Sequence, residues 1–329
     1  MSDNRRISLP KSPDADIEVV FPTDDVQADR VHLLGTTEIH AINAAIVAGR
    51  PLLVRGEPGT GKSQLARAAA RQLGRAFVHH VVDSRSESRD LLWTFDAVRR
   101  LADAQLAGSL EEDAEKTRAD LAVENYLEPG PLWWAFHWES AAALAERVKA
   151  PVPAQRDGGD WKLGCVFLLD EIDKAESELP NGLLEALGAR EFTPFGRSKP
   201  VRAEGTPPLV VITTNEERAL PDAFLRRCLV LRLELPKDQK ELVDHLIHRG
   251  KAHFPSAPDT ILRKAAEMLF ADRKAAIGAN IFPRPGQAEY LDLLRAVLGL
   301  ADDEKEWEAM LDIVAPYTLR KHVGTGRSD

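Results

Sequence analysis

The chain has 329 residues, 44% of them apolar and 29% charged, with a net charge of −9 and only two cysteines. That length exceeds a comfortable single core and predicts two packed units, while no apolar run approaches the ~18 residues that a membrane helix needs. The acidic balance argues against a protein that coats nucleic acid non-specifically, and two isolated cysteines exclude a disulfide framework or zinc spacing.

Residues 1–30 mix prolines and charges without a period and predict a flexible arm or a strap over the surface. The polar start, Met1 to Lys11, lacks an apolar signal core, so a reduced, cytoplasmic setting is expected. Val31 to Gly49 reads as a helix with Ile39, Ile42, Ala45 and Ile46 on one face. Pro51 to Val54 then reads as a buried strand, and Gln64 to Leu73 as a helix. Between them lies Gly56-Glu57-Pro58-Gly59-Thr60-Gly61-Lys62-Ser63. Strand, glycine-rich turn and helix form the context that a phosphate-binding loop requires. The glycines let successive N–H groups point at an anion, and the helix N-terminus adds partial positive charge. Lys62 has the reach for β- and γ-phosphates, and the Ser63 hydroxyl suits a magnesium shell.

Ala76 to Val82 is a second expected strand; His79 and His80 have no ligand partners nearby in sequence and read as ordinary strand residues. Ala97 to Asn125 reads as solvated helix and Pro131 to Lys149 as a second helical stretch. Trp93, Trp133, Trp134, Trp138 and Trp161 all fall in this region, which predicts a sizeable buried surface in the core or at a subunit interface, ahead of a substrate-gripping one. Gly164 to Leu169 predicts a third strand, carrying Cys165 as a buried thiol. Ser177 to Leu187 reads as a helix, Glu191 to Arg202 as a hairpin, and Leu209 to Thr213 and Leu229 to Leu235 as further strands. Alternating strands and helices predict an α/β fold with a parallel sheet and flanking helices. Beyond Pro236 only helices are expected, at 237–250, 259–277, 285–300 and 302–315, with a frayed tail from Lys321.

Four further pieces carry chemistry. Val166 to Leu169 is an apolar strand that ends in Asp170-Glu171, at the sheet edge where open α/β folds bind ligands. Asp170 would hold Mg²⁺, and Glu171 would polarise an attacking water as general base. Val210 to Thr214 ends in Asn215, which could orient that water or touch a γ-phosphate, or could simply cap a turn. Arg226 and Arg227, after a short expected helix, could offset its dipole or reach a neighbour's phosphate. Arg284, between Pro283 and Pro285, stands near an expected helix N-terminus, where a cation gains nothing from the dipole; that conflict points to an anionic partner.

These pieces, in this order, resemble the AAA+ ATPase superfamily over about Val31 to Pro316. Gly56–Ser63 is similar to Walker A and Asp170–Glu171 to Walker B; Asn215 stands where sensor 1 belongs, Arg227 or Arg226 at the arginine finger, and Arg284 at sensor 2. Arg89-Asp90-Leu91-Leu92, Pro129-Gly130-Pro131-Leu132, Phe167 to Ala175 and Asn181 to Leu187 resemble the MoxR-like branch. In that branch an insert interrupts the second helix and a hairpin precedes sensor 1. Glu191–Arg202 fits the hairpin; Trp93 to Glu128 fits the insert but is longer and more helical. The resemblance implies a P-loop NTPase domain over 31–236, with a helical insert at about 93–160, and an all-α lid over 237–320. It implies ATP and Mg²⁺ as cofactors and a homo-oligomeric, usually hexameric, ring with the arginine finger acting in trans. It also implies remodelling of a protein client beside a von Willebrand factor A domain partner. Two alternatives are a nucleic-acid restriction motor of the McrB kind and a nucleotide-gated scaffold. The mixed charges of the insert, Arg99, Arg100, Lys116 and Arg118 against Glu111, Glu112, Asp113 and Glu115, do not favour a phosphate-tracking pore.

Overall fold

The computed structural model describes residues 9–10, 15–21, 31–109 and 114–320. These fall into two compact units, one built on Thr36–Arg55 and Ala66–Leu231, the other on Ala15–Gly35, Gly56–Leu65 and the chain from Arg232 onward. Within the stretch expected to be an arm, β1 (Ile17–Val20) pairs antiparallel with β2 (Val31–Leu34). Leu9 and Phe21 are buried. Residues 1–8, 11–14 and 22–30, and the tail expected to fray from Lys321, lie outside the described residues. The helix expected from Val31 is corrected accordingly: α1 begins at Thr36 and runs to Ala48. A four-residue run with three apolar residues, Val31, Leu33 and Leu34, fits either period, and Gly35 separates the strand from the helix that follows.

In the first unit, β3 (Leu52–Arg55) leads towards α2 (Lys62–Gln72), which is followed by β4 (Arg75–Val81). β5 (Trp93–Phe95) opens the insert, and α3 (Ala97–Ser109) and α4 (Ala114–Asp120) follow, with a 3₁₀ turn at Val123–Asn125. β6 (Leu127–Pro129) closes the insert by pairing antiparallel with β5. The insert is therefore a two-stranded stem carrying helices. At its base, Gly130 N donates to Leu92 O (3.0 Å) and Leu132 N to Leu91 O (2.7 Å). A Cβ on Gly130 would stand 2.7 Å from the Asp90 carbonyl oxygen, so only glycine lets these two segments meet.

Next come α5 (Pro131–Phe136), α6 (Trp138–Val148) and β7 (Asp160–Asp170), a strand longer at its start than the expected Gly164–Leu169. α7 (Glu178–Ala189) leads into a short hairpin, β8 (Glu191–Phe192) with β9 (Val201–Arg202). β10 (Leu209–Thr214), α8 (Asp222–Leu225) and β11 (Leu229–Arg232) complete the series. The sheet order is β11-β3-β10-β7-β4, with β3, β10, β7 and β4 parallel. Every residue of β10 and each of Cys165 to Leu169 is buried, the pattern of strands covered on both faces. Trp133 is fully buried in the same core cluster as Leu53, Phe167 and Ile212. Its indole N–H donates to Ser140 Oγ (2.8 Å), and its ring meets Phe192 edge-on at 5.6 Å. Trp134 is also buried there, while Trp93, Trp138 and Trp161 pack against the cluster. The aromatic surface is thus core in the first instance. Both cysteines are free and buried, and burial pushes the Cys165 thiol up to about 12 and Cys228 to about 11.

In the second unit, α9 (Gln239–His253), α10 (Asp259–Gly278), α11 (Gln287–Leu300) and α12 (Glu304–Thr318) share one core around Leu246, Ile261, Leu262, Tyr290 and Leu294. Asp238 caps α9 through Glu241 N, and Asp303 caps α12 through Glu306 N. Tyr290 donates its buried hydroxyl to Leu262 O (3.1 Å). β2 packs on α9, where the Arg249 guanidinium donates to Leu33 O. His32, on the same strand, is buried; its Nε2 has no hydrogen-bond partner. Desolvation, with Arg249 and His253 nearby, holds its pKa down to about 3. Among the described residues no helix is long and apolar enough to cross a membrane.

Two measurements check this packing. Trp133→Ala is expected to cost about 3–5 kcal/mol in urea unfolding, whereas Trp138→Ala, at the rim, costs less; equal costs would remove Trp133 from the centre of the core. The folded protein holds His32 neutral, while the unfolded chain protonates it below about pH 6.5. Stability is therefore unaffected above that value and falls as pH drops towards 3. Between pH 7 and pH 5 the His32 share is about 2 kcal/mol, so His32→Gln should show that much less acid sensitivity than the parent protein. The same pH dependence in both proteins would contradict the burial of this imidazole.

Candidate nucleotide site

The parallel register sets the candidate residues of the first unit. Val211 to Thr214 of β10 lie beside Leu52 to Arg55 of β3, and Leu209 to Ile212 lie beside Val166 to Leu169 of β7. Three carboxyl ends therefore come out side by side. Asp170 ends β7, and the buried Thr213 hydroxyl on β10 donates to its Oδ1. The same Thr213 oxygen accepts the Glu171 N–H at 2.9 Å. Glu171 adopts a left-handed conformation, φ 60°, uncommon for a residue with a side chain. Its carboxylate accepts from Asn215 Nδ2 at 3.3 Å and pairs with the Lys174 ammonium, whose pKa that contact raises. Asn215 itself is positioned by Asp173: the buried Asp173 carboxylate accepts Asn215 N (3.1 Å) and Glu217 N (2.9 Å). Arg55, the last residue of β3, pairs with Glu216 at 2.5 Å.

Asp170, Glu171 and Asn215 are thus brought together. Thr213, Asp173 and Lys174 support them and were not anticipated. Thr213 ends a run of apolar residues and looked like more strand; its hydroxyl gains meaning only from the neighbouring strand. Arg226 and Arg227 follow α8, and both carbonyls accept from the Arg50 guanidinium, Arg227 O at 3.0 Å. Both of these arginine side chains are exposed.

The second unit carries the loop Gly56–Ser63. Gly59 and Gly61 have φ of 77° and 90°. A Cβ on Gly59 would lie 3.0 Å from Ala288 Cβ, and one on Gly61 would lie 3.2 Å from His32 Cε1. Both positions require glycine twice over, through dihedral and through space. Lys62 is buried, with Nζ donating to Gly56 O (2.8 Å) and Glu57 O (2.9 Å), and Thr60 Oγ1 donates to Glu57 O (2.9 Å). A tightly turned glycine loop, a lysine folded over it and an 11-residue helix starting at Lys62 form the donor set that fits a polyphosphate. Ser63 and Asp170 are oxygen donors of the kind a hard Mg²⁺ ion takes. Arg284 lies two residues before the α11 N-cap, Gly286, and its Nη1 is 3.4 Å from Glu57 Oε1.

Comparison with known proteins agrees with this geometry. Residues 51–249 match the family model described as AAA domain (dynein-related subfamily). No curated protein matches the chain. Among solved structures, a mutant RuvB of Thermotoga maritima is similar at 16% identity and a TM-score of 0.45, covering 85% of this chain and 69% of that one. The Thermotoga maritima RuvB Holliday junction branch migration motor is similar at 16% identity and a TM-score of 0.41, with 84% and 67% covered. A candidate ATPase from Cytophaga hutchinsonii gives 14% identity and a TM-score of 0.37, with 86% and 79% covered. With the family model spanning all five strands of the sheet and the whole glycine loop, the chain belongs to the dynein-related subfamily of AAA domains.

Proposed function

We propose that this protein hydrolyses ATP with Mg²⁺ and works as a ring-forming remodeller of a protein partner, in the manner of the MoxR-like branch. The observation that carries the hydrolytic part is the contact between Asn215 Nδ2 and Glu171 Oε1 beside Asp170, at the carboxyl edge of buried strands. An amide and a carboxylate so placed hold a water and accept its proton. Bound Mg²⁺ would supply charge neutralisation on the transferred phosphoryl group. Ser63 and Asp170 would hold that ion. The amides of Gly56 to Gly61, with Glu57, Pro58 and Thr60 shaping the turn, would bind the β- and γ-phosphates together with Lys62. Arg284 would act as sensor 2. Arg227, with Arg226 as its neighbour, would serve as the finger for an adjoining protomer; the exposure of both side chains and the hold on their main chain by Arg50 support an outward role.

The MoxR assignment draws support from the insert and the hairpin. The Arg89–Leu92 and Pro129–Leu132 segments meet at the insert's base through two main-chain hydrogen bonds. The β8–β9 hairpin precedes β10, the strand that leads to Asn215. The reading assigns 31–236 to the nucleotide-binding domain and 237–320 to a lid whose movement follows the nucleotide. It expects a hexamer and a von Willebrand factor A domain partner inside the cell.

Glu171→Gln should keep Mg·ATP binding and lower turnover by about 10²–10⁴-fold, as loss of a general base does. Lys62→Ala should abolish binding in the same assay. Unchanged turnover in Glu171→Gln would take that residue out of the reaction. Strong stimulation of turnover by DNA or RNA would replace the remodeller by the nucleic-acid motor.

A further inference from the structure

The loop that joins α10 to α11 carries Arg284, and a different guanidinium fixes that loop. Arg273, on α10, has a side chain only 12% exposed. One of its terminal nitrogens donates to the Pro285 carbonyl at 3.0 Å, the residue next to Arg284. The other donates to Glu57 Oε2 at 2.5 Å. The second oxygen of Glu57 faces Arg284 Nη1 at 3.4 Å. The Phe282 ring covers the Arg284 guanidinium at 4.2 Å, and Arg284 Nε is buried without a hydrogen-bond partner. On the far side of the loop, Glu289 accepts the Gly286 N–H at 2.9 Å.

One carboxylate thus stands between two guanidinia that are held very differently. Arg273 spans a side chain of the glycine loop and the main chain beside Arg284, using both arms of a rigid fork. Arg284 has one long contact to Glu57, together with an aromatic face that orients its plane. An arriving anion can take over the long contact, whereas the Arg273 bridge is short and tied at both ends.

We propose that Arg273 is a positioning residue: it locks Glu57 to the Pro285 main chain so that Arg284 is aimed at the terminal phosphate of a bound nucleoside triphosphate. Arg284 then exchanges its Glu57 contact for that phosphate, while Arg273 keeps Glu57 and never touches the nucleotide. This rests on the ATPase reading above. Because only the triphosphate has the terminal group, Arg273 governs discrimination of ATP from ADP and the rate of turnover, with little effect on ADP.

The test is a double-mutant cycle in the full chain with Arg273→Met, Arg284→Met and the double variant, reading Mg·ATP turnover and the Kd for Mg·ATP and for ADP. Arg273→Met is expected to lower kcat about 10–100-fold, as misplaced catalytic groups do, with ADP affinity within about twofold of the parent. The double variant should be no worse than Arg284→Met alone, because Arg273 acts through Arg284. Arg273→Lys should recover part of the rate, since an ammonium can pair with Glu57 without bridging to Pro285. Equal losses of ATP and ADP affinity, or losses that multiply in the double variant, would reduce Arg273 to a scaffold residue and overturn the proposal. Should Arg273→Met unfold, the same cycle with Arg273→Lys decides by the same criteria. A parent protein that binds no Mg·ATP defeats the ATPase reading itself; a parent that hydrolyses ATP beside an Arg273→Met variant of equal rate defeats only this inference.

Discussion

The parallel register of β10 between β3 and β7 is the constraint from which the first unit's chemistry follows. Because these strands are buried on both faces, a slip of one residue would turn apolar side chains to the wrong layer, so the register is strongly specified. That register brings Thr213 to the end of β7, where one hydroxyl satisfies both the Asp170 carboxylate and the Glu171 amide. Asp173 then fixes the chain beyond β10 by accepting the Asn215 and Glu217 amides. Neither Thr213 nor Asp173 has a part in the proposed reaction, yet without them Asn215 and Glu171 would have no fixed separation. A buried carboxylate that accepts main-chain N–H groups is well suited to that task, since its loss leaves those donors unsatisfied.

The second unit treats its glycine loop in the same manner, by surrounding it. His32 and Ala288 lie where side chains on Gly61 and Gly59 would have to go, and the Leu233 carbonyl oxygen occupies the space beside Gly56. The loop is therefore shaped from outside by three elements of its own unit as well as by its own dihedrals. His32 stays neutral through the whole physiological range, so it packs on the loop without adding charge there. The charge near the loop comes from Lys62 and from the Glu57, Arg273 and Arg284 group, in which one carboxylate faces two guanidinia and leaves a positive excess.

Much of this arrangement was legible in the amino-acid order, for a physical reason. Phosphate binding demands glycines, a lysine and a helix start at fixed spacing, because backbone amides do the work. An acid pair after a buried apolar strand is similarly local. The alternation of strands and helices gave the sheet, and composition after Pro236 gave the helices. What could not be read was whatever depends on a partner distant in sequence. Thr213 needs Asp170, Asp173 needs the loop after β10, and Arg273 needs Glu57, 216 positions earlier. The short run Val31 to Leu34 failed for another reason: four residues are too few to carry a period of their own, and only pairing with Ile17–Val20 makes them a strand. The tryptophans could be read as buried, but not as meeting Phe192 of the hairpin beside the sheet.

Glu171 shows how support and function meet in one residue. A left-handed backbone costs a residue with a side chain of order 1–3 kcal/mol, and glycine would remove that cost. Glycine would also remove the carboxylate, so the conformation persists only because the surroundings fix it. Three groups do so: Thr213 takes the amide, and Asn215 and Lys174 take the carboxylate oxygens. The left-handed turn lifts the Glu171 side chain off the strand axis just where β7 ends, while Asp170, one residue earlier, stays in strand geometry against Thr213. Adjacent acids in an ordinary strand would point to opposite faces of the sheet. The left-handed residue is what lets two neighbours in sequence hold different partners, Asp170 the Thr213 hydroxyl and Glu171 the Asn215 amide and the Lys174 ammonium.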